Sequence, residues 1–518
     1  MGFGFSCPVA RPAPVAITTT ITIRNLTITP LELKLVERLD HEHHLSKIAS
    51  RITGRRRSHG TGWSGEQQEE QQLASARQDI ANITVPPFSE CPTAVYAPDP
   101  NRHHEQLRLT FEDPSTGHHY SAEIPGPSPR SIVLKPSTLT GGEDPKEFTA
   151  IYLPSHSYLA LFSSANLSSW MSSLPDHLPL SALSIPGTHN SPTHHTALPS
   201  VRCQAVPVVD QLDNGVRFLD VRVSCPIYNP SSDSTSPPPV PSLQLVHSAF
   251  PITLNPFTAR SKSLSTLLDT LYTFLHTHPS ETLLLSLKRE GTGRGSDADL
   301  SQILLHHYIN VDRDKWYTAP TIPRLADCRG KIVLVRRFHL HEPTVRSLGI
   351  DGSVWPDNVA DGTCGGGAIR IQDYYDVAHS GEMQNKLRYV QEGLERAAQV
   401  VHHSETLSGG GNDNTGDGRE RTMTATTTTP PPPLYINFMS ASSFFNISCW
   451  PDRIARRLNP STVEYLCMGH GAPGKGPGQL TVGDAATGIV VTDWVGHNGD
   501  WDLIRCIVGW NARLQRRQ

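Results

Sequence analysis

The chain has 518 residues, enough for two or three domains and a large core. Its 45 Lys and Arg against 49 Asp and Glu leave a formal net charge of −4, so no global basic field favours nucleic acid as a partner. Hydrophobic content is a low 37% and prolines number 43, a balance that fits long inserted loops in a globular protein better than global disorder.

No apolar run approaches the about 18 residues of a membrane span. The opening MGFGFSCPVARPAPVA lacks the charged head and continuous apolar run of a secretory signal. Gly2 and Ser6 stand at the spacing of an N-myristoylation acceptor, with Cys7 as a second lipid site. A frayed, flexible terminus over 1–15 is the alternative. Nine cysteines lie at wide intervals without a CxxC pair, so zinc is not expected and buried free thiols are. N-x-S/T sequons at Asn25, Asn82, Asn166 and Asn446 keep a secreted location open beside a cytoplasmic or peripheral-membrane one.

Residues 16–36 (AITTTITIRNLTITPLELKLV) predict two strands. Residues 41–80 break the pattern with HEHH, GRRRSHGTG and EQQEEQQ, a polar low-complexity insertion. Arg55, Arg56 and Arg57 there suit an anionic surface or, more simply, a solvated loop. Strand signals return at 82–85, 106–112, 119–124, 131–135 and 148–153. Short strands separated by Pro, Gly and Asp predict a β-rich, sandwich-like accessory domain over 16–165, with no catalytic cluster in it.

From Trp170 the texture changes to alternating strand and helix, as in βα units. The expected strands are 182–186, 216–222, 243–247, 282–288, 331–337, 369–373, 434–439 and 489–493. Eight parallel-type strands over 168–515 predict an α/β fold, a distorted TIM (β/α)8 barrel. Helical periodicity marks 263–278 and part of 380–404, and the tail 500–514 reads as a closing helix. Two low-complexity insertions, 229–242 and 406–433, are expected as mobile loops.

Most of these strands end in a group that chemistry can use: His189, Arg222, His247, Lys288, Arg337, Asp373 and Asp493. On one barrel face they would make a pocket for a phosphate ester. One histidine removes a proton from a nucleophile and the other protonates a leaving oxygen. Arginine forks onto phosphate oxygens and stabilises the charge that builds there. Each residue alone has a plainer reading: a satisfied histidine among 25, a solvated strand end, a helix cap at Asp493, or an ordinary pairing of Asp220 with Arg217 or Arg222. The joint pattern is what points to catalysis.

SIPGTHNS (184–191), QLDNGVRFLDVRV (211–223), LQLVHS (243–248) and SETLLLSLKRE (280–290) resemble the X domain of phosphatidylinositol-specific phospholipase C. The resemblance runs on through RGKIVLVRRF (329–338), WPDN (355–358), IQDYY (371–375), LYINFMSAS (434–442) and VVTDWVG (490–496). It covers about 168–515 and is greatest with the small, metal-independent bacterial enzymes. The β-rich region lies outside it, and the proline and glycine insertions suggest a eukaryotic, fungal relative.

The resemblance implies cleavage of an inositol phospholipid, or of a glycosylated inositol lipid, to diacylglycerol and a cyclic inositol phosphate. It makes His189 the general base, Asp493 its orienting carboxylate, Arg222 the phosphate ligand and His247 the general acid. Lys288, Arg337 and Asp373 match inositol-binding positions, and Tyr375 matches the aromatic that stacks on the ring. A monomer with transient membrane contact is expected, without cofactor. The calcium-dependent members carry acidic residues where this chain has Arg222 and Lys288, and one neutral oxygen from Asn190 beside two cations does not make a calcium site. Two departures bear on rate. Asn190 stands where the bacterial members have an Asp that supports the acid, and Ser248 where they have Gly. A same-fold phosphodiesterase with another substrate, or a low-activity lipid-headgroup binder, are the alternatives.

Overall fold

Residues 105–113, EQLRLTFED, alternate polar and apolar, and every second side chain from Leu107 to Asp113 is buried, as in a strand with one face on a core. The structure, a computed structural model, describes residues 19–40, 78–99, 105–126, 131–137, 146–228, 241–255, 257, 262–340, 347–402, 431–443 and 445–515. The expectations for 1–15, for most of 41–80, 229–242 and 406–433, and for Gly2, Ser6, Cys7 and Arg55–Arg57, lie outside the described residues.

The chain divides into two units, 1–25 with 29–161, and 26–28 with 162–518. The first holds β1 (Thr20–Leu26), β2 (Leu31–Asp40), β3 (Gln78–Val85), β4 (Ser89–Tyr96), β5 (Glu105–Asp113), β6 (His118–Ile124), β7 (Ser131–Leu134), β8 (Phe148–Leu153) and β9 (Tyr158–Ser163). They form a sheet in the order β4-β1-β9-β8-β7 and another in the order β3-β2-β5-β6. Ile21 and Ile23 from one sheet and Leu33, Leu109 and Phe111 from the other share one apolar core, the arrangement of a β-sandwich. Two of these strands carry no clear sequence signal. Strand β4 contains Pro92, tolerated because β4 lies at a sheet edge. Strand β9, YLALFS, is central and buried on both faces, so it does not alternate.

The second unit is the α/β part. Its strands are β10 (Ile185–Thr188), β11 (Phe218–Ser224), β12 (Gln244–His247), β13 (Phe250–Pro251), β14 (Leu283–Arg289), β15 (Trp316–Tyr317), β16 (Ile332–Arg337), β17 (Ile350–Asp351), β18 (Val359–Cys364), β19 (Ile369–Asp373), β20 (Leu434–Phe438) and β21 (Ile489–Thr492). Seven of them run parallel in the order β16-β14-β11-β10-β21-β20-β19. Leu283–Leu287 of β14 and all of β16 are buried, as expected for parallel strands covered on both faces. Helices α1 (Val208–Asp213), α2 (Leu264–Thr277), α3 (Asp297–Leu304), α4 (Met383–Ala398), α5 (Pro451–Met468) and α6 (Asp502–Gly509) lie between or after the strands. Helix α2 turns Leu264, Leu267, Leu268, Leu271, Phe274 and Leu275 inward, the stripe its spacing predicts.

Three expectations are corrected. The barrel is not closed by backbone pairing: among the described residues, β16 and β19 do not pair, and β18 instead adds antiparallel to β19. Residues 243–247 are not a parallel barrel strand. They form β12, a short antiparallel ribbon off the end of β11, which turns back as β13. The tail is two short helices, 502–509 and 512–515, broken at Trp510 and Asn511. Of the nine cysteines, the eight described are free thiols, and seven of these are buried. The Asn25 side chain is buried and donates to the Thr29 and Val85 carbonyls, so it cannot carry a glycan in the folded chain.

Candidate active site

Parallel register assembles the site. Gly187 and Thr188 of β10 lie beside Val491 and Thr492 of β21, so the residues that follow, His189 and Asp493, emerge together. On the other side, Arg222 of β11 pairs in register with Lys288 of β14, which pairs with Arg337 of β16. Three cations therefore stand in a row across three neighbouring strands. Asp220, two residues before Arg222, shares its face of the strand.

His189 Nδ1 is 3.0 Å from Asp493 Oδ1. Its Nε2 is 3.0 Å from Arg222 Nη2 and 3.0 Å from Asn190 Nδ2. A guanidinium only donates, so Nε2 holds its lone pair here and Nδ1–H donates to Asp493. Burial opposes charge on this ring, but Asp493 and then Cys203 outweigh it and lift its pKa to about 10. The guanidinium at Nε2 works against that proton, so the geometry is that of a neutral but strongly basic imidazole. Rotating the Asn190 amide would present Oδ1, which is buried without a partner, to an Nε2–H. The Gln204 amide donates to the carbonyls of His189 and Thr492, at 2.7 and 3.0 Å, and ties the two strand ends together.

His247 stands across from His189, with ring centroids 5.8 Å apart and planes at 89°. Its Nδ1–H donates to the Val201 carbonyl at 2.8 Å, which leaves Nε2 as the exchangeable position. The turn after it places Ser248 at φ 53, in the left-handed region. That is why glycine suits this position and why the serine is strained. Asn190 (φ 43) and Trp494 (φ 59) share that backbone region, so strain clusters at the strand ends that carry the histidines and Asp493.

The cations are neutralised from within. Glu290 accepts from Arg222 Nη1 at 3.0 Å, from Lys288 Nζ at 2.9 Å and from the Ser248 amide at 2.9 Å. Burial opposes its charge, yet Arg222 and Lys288 bring it down to about 2. Asp220 bridges Arg222 at 3.4 Å and Arg337 at 3.2 Å. Burial again opposes, and the two guanidiniums hold its carboxyl well below the usual range. Asp220 thus pairs with Arg222 and Arg337 but not with Arg217, which is buried against Glu281 at 2.9 Å.

Trp355 connects β16 and β19, which do not pair with each other among the described residues. The Arg337 guanidinium lies 3.9 Å from its ring centroid, and its indole N–H donates to Asp373 Oδ2 at 2.9 Å. Tyr375 is 41% exposed, and its hydroxyl donates to Asp357 at 2.6 Å. Lys386 of α4 is buried and donates to Gln372 Oε1 at 3.1 Å. Burial takes its pKa down to about 7, although Asp373 and Asp493 pull the other way.

The structure therefore brings His189, Asn190, Arg222, His247 and Asp493 together, with Lys288 joined through Glu290, Arg337 through Asp220, and Asp373 through Trp355. Sequence reasoning passed over Glu290, Trp355, Cys203 and Lys386. Glu290 and Trp355 lie inside the quoted stretches SETLLLSLKRE and WPDN. Glu290 comes directly after β14, two residues past Lys288, a spacing that marks it as a counterion. Cys203 and Lys386 carry no such signal.

Metal binding is limited by the same contacts. Among the described residues, donor atoms of His189, Cys203 and His247 lie within 4.8 Å of one another. Both His189 nitrogens are already engaged and Arg222 places a fixed cation on one of them, which disfavours a divalent ion. The carboxylates nearest Arg222 are held by guanidinium and ammonium groups and are not free oxygens for calcium.

A family model for "Phosphatidylinositol-specific phospholipase C, X domain" matches residues 177–338. The 1-phosphatidylinositol phosphodiesterase of Listeria monocytogenes is 32% identical over 195 residues, 35% of this chain and 53% of that relative. The chain thus matches about half the length of this relative. The enzyme of the same name from Staphylococcus aureus is 23% identical over 359 residues, 66% of this chain and 93% of the relative. Among solved structures, the phosphatidylinositol-specific phospholipase C from Listeria monocytogenes superimposes with a TM-score of 0.45 at 22% identity, covering 67% of this chain and 99% of its own. The matched segment carries His189, Arg222, His247, Lys288 and Arg337, and over it this chain is similar to the X domain of phosphatidylinositol-specific phospholipase C.

Proposed function

We propose that the protein is a metal-independent phosphodiesterase of the phosphatidylinositol-specific phospholipase C type. The observation that carries this reading is the facing pair His189 and His247, with Asp493 on one ring and Arg222 between that ring and Glu290. His189 Nε2 takes the proton of the inositol 2-hydroxyl, whose oxygen attacks phosphorus. Asp493 holds the imidazolium that forms. Arg222 leaves Glu290 for the phosphate oxygens and stabilises their growing charge. His247 Nε2 gives its proton to the diacylglycerol oxygen as it departs. The products are diacylglycerol and a cyclic inositol phosphate.

Lys288, Arg337 and Asp373 face the sugar hydroxyls in this reading, and Tyr375 covers one face of the ring. The lipid substrate calls for contact with a bilayer. Apolar side chains stand exposed in the segments after β13, β17 and β20: Phe257 (94%), Val354 (72%), Phe445 (94%) and Ile447 (60%). They suit transient insertion between headgroups. Glycosylated inositol lipids present the same phosphodiester and are included as substrates. The chain acts as a monomer in this reading.

The test is hydrolysis of phosphatidylinositol vesicles by purified protein in the presence of a calcium chelator, beside His189→Ala, with phosphorus NMR to identify the product. Cyclic phosphate from the wild type, undiminished by chelator and absent with the variant, is expected. Activity only after calcium is restored overturns the metal-independent mechanism. No turnover by a folded protein moves the reading to a different diester or to headgroup binding.

A further inference from the structure

A general acid must be protonated when the substrate arrives, and a nearby anion is the usual means of keeping an imidazolium charged. Asn190 is neutral, and its amide is spent on His189. On the His247 side, the Nδ1 atom lies 3.7 Å from Cys203 Sγ as well as 2.8 Å from the Val201 carbonyl. Cys203 is fully buried. Its backbone is clamped: the N–H donates to Thr193 Oγ1 at 3.1 Å, and the carbonyl accepts from Trp494 N–H at 2.9 Å. Its sulfur therefore has a fixed place beside the acid.

We propose that Cys203 is the positioning residue of the general acid: its thiolate lies beside the Nδ1 edge of His247, whose Nδ1–H donates to the Val201 carbonyl, and its charge holds the imidazolium whose Nε2 proton goes to the leaving oxygen. This role rests on the phospholipase reading above and supplies the anion that Asn190 does not. The groups facing the sulfur are His247, Asp493 and His189, with Arg222 beyond His189. Burial pushes the thiol up, but His247 foremost and His189 after it bring it down to about 7 against the pull of Asp493. Cysteines buried away from such partners go the other way: burial takes Cys225 and Cys328 up to about 12.

As the inositol oxygen bonds to phosphorus, the bond from phosphorus to the diacylglycerol oxygen breaks. That oxygen leaves with the electron pair and takes the Nε2 proton of His247. The Nδ1 proton stays on His247, directed at the Val201 carbonyl, and the sulfur keeps its charge throughout.

Leaving-group dependence tests this. Phosphatidylinositol expels a poor alkoxide that needs a proton, whereas a nitrophenyl ester of inositol phosphate expels an anion that does not. Cys203→Ala should lose about tenfold in kcat on the lipid and less than about twofold on the aryl ester. Cys203→Asp should recover most of the lipid activity. Cys203→Ser, nearly isosteric and a poor anion, should match alanine and decides the matter if alanine fails to fold. Equal losses on both esters, or no loss on either, overturn the role of Cys203 and leave the phospholipase reading standing. Failure of folded wild-type protein to cleave either ester overturns both.

Discussion

If the protein is the phospholipase proposed above, replacing Trp355 should separate binding of the inositol ring from the chemistry on its phosphate. The indole makes two polar contacts: its N–H donates to Asp373 at 2.9 Å, and its face lies under Arg337 at 3.9 Å. It touches neither histidine in those contacts. A hydrogen bond to an ionised partner is worth about 1.5–3 kcal/mol. A cation stacked on a ring in a partly dry site adds about 1–2 kcal/mol. Trp355→Phe keeps the ring and loses the hydrogen bond, so KM should rise about tenfold with kcat little changed, one decade corresponding to 1.4 kcal/mol. Trp355→Ala loses both, about 3 kcal/mol in all, and kcat/KM should fall about a hundredfold. Initial rates over a range of phosphatidylinositol mole fractions in mixed micelles at fixed total lipid give kcat and KM separately. A fall in kcat at unchanged KM, or equal effects of the two substitutions, would refute the view that Trp355 acts through the ring-binding residues.

Asp493→Asn should lower the pKa of His189, which Asp493 helps lift to about 10. The acidic limb of the pH–rate profile then moves to lower pH while kcat drops by about a hundredfold; an unmoved limb argues that His189 is not the base. Glu290 is depressed from 4.5 to about 2, and Asp220 is depressed as well. Carboxylates held low contribute stability that is fully present above their unfolded values and is lost as pH falls through the folded ones. Melting temperature should therefore decline steeply between pH 4.5 and about 2, and Glu290→Gln should flatten that decline. Ser248→Gly relieves a residue at φ 53. It should raise stability by about 0.5–1 kcal/mol in urea unfolding, and a loss of stability would show that the serine earns its place by another contact.

The strands of the α/β unit were legible because burial on both faces demands unbroken apolar runs such as KIVLVRR, and their polar ends announced the site. The row Arg222, Lys288 and Arg337 was readable as three candidates but not as a row, because alignment across strands depends on register, which no single strand encodes. Strand 243–247 misled because its alternation is the same whether it joins a barrel or folds back as a ribbon. Closure misled for a similar reason: counting strands does not reveal that β16 pairs with β15 and β17, and β19 with β18, rather than with each other. Glu290 and Trp355 could be seen as letters but not as partners. Cys203 and Lys386 depend on burial next to particular groups, a property of the folded site alone.

The occupancy of Arg222 by Glu290 has a consequence for traffic through the site. With its own carboxylate already in place, the pocket takes up a phosphate by exchange of one anion for another. Affinity for any anion is then a difference between two similar interactions and stays modest. In the proposed mechanism, inorganic phosphate and the ionised product would compete with an intramolecular rival that never diffuses away, and the carboxylate would return as product departs and clear the guanidinium for the next turnover.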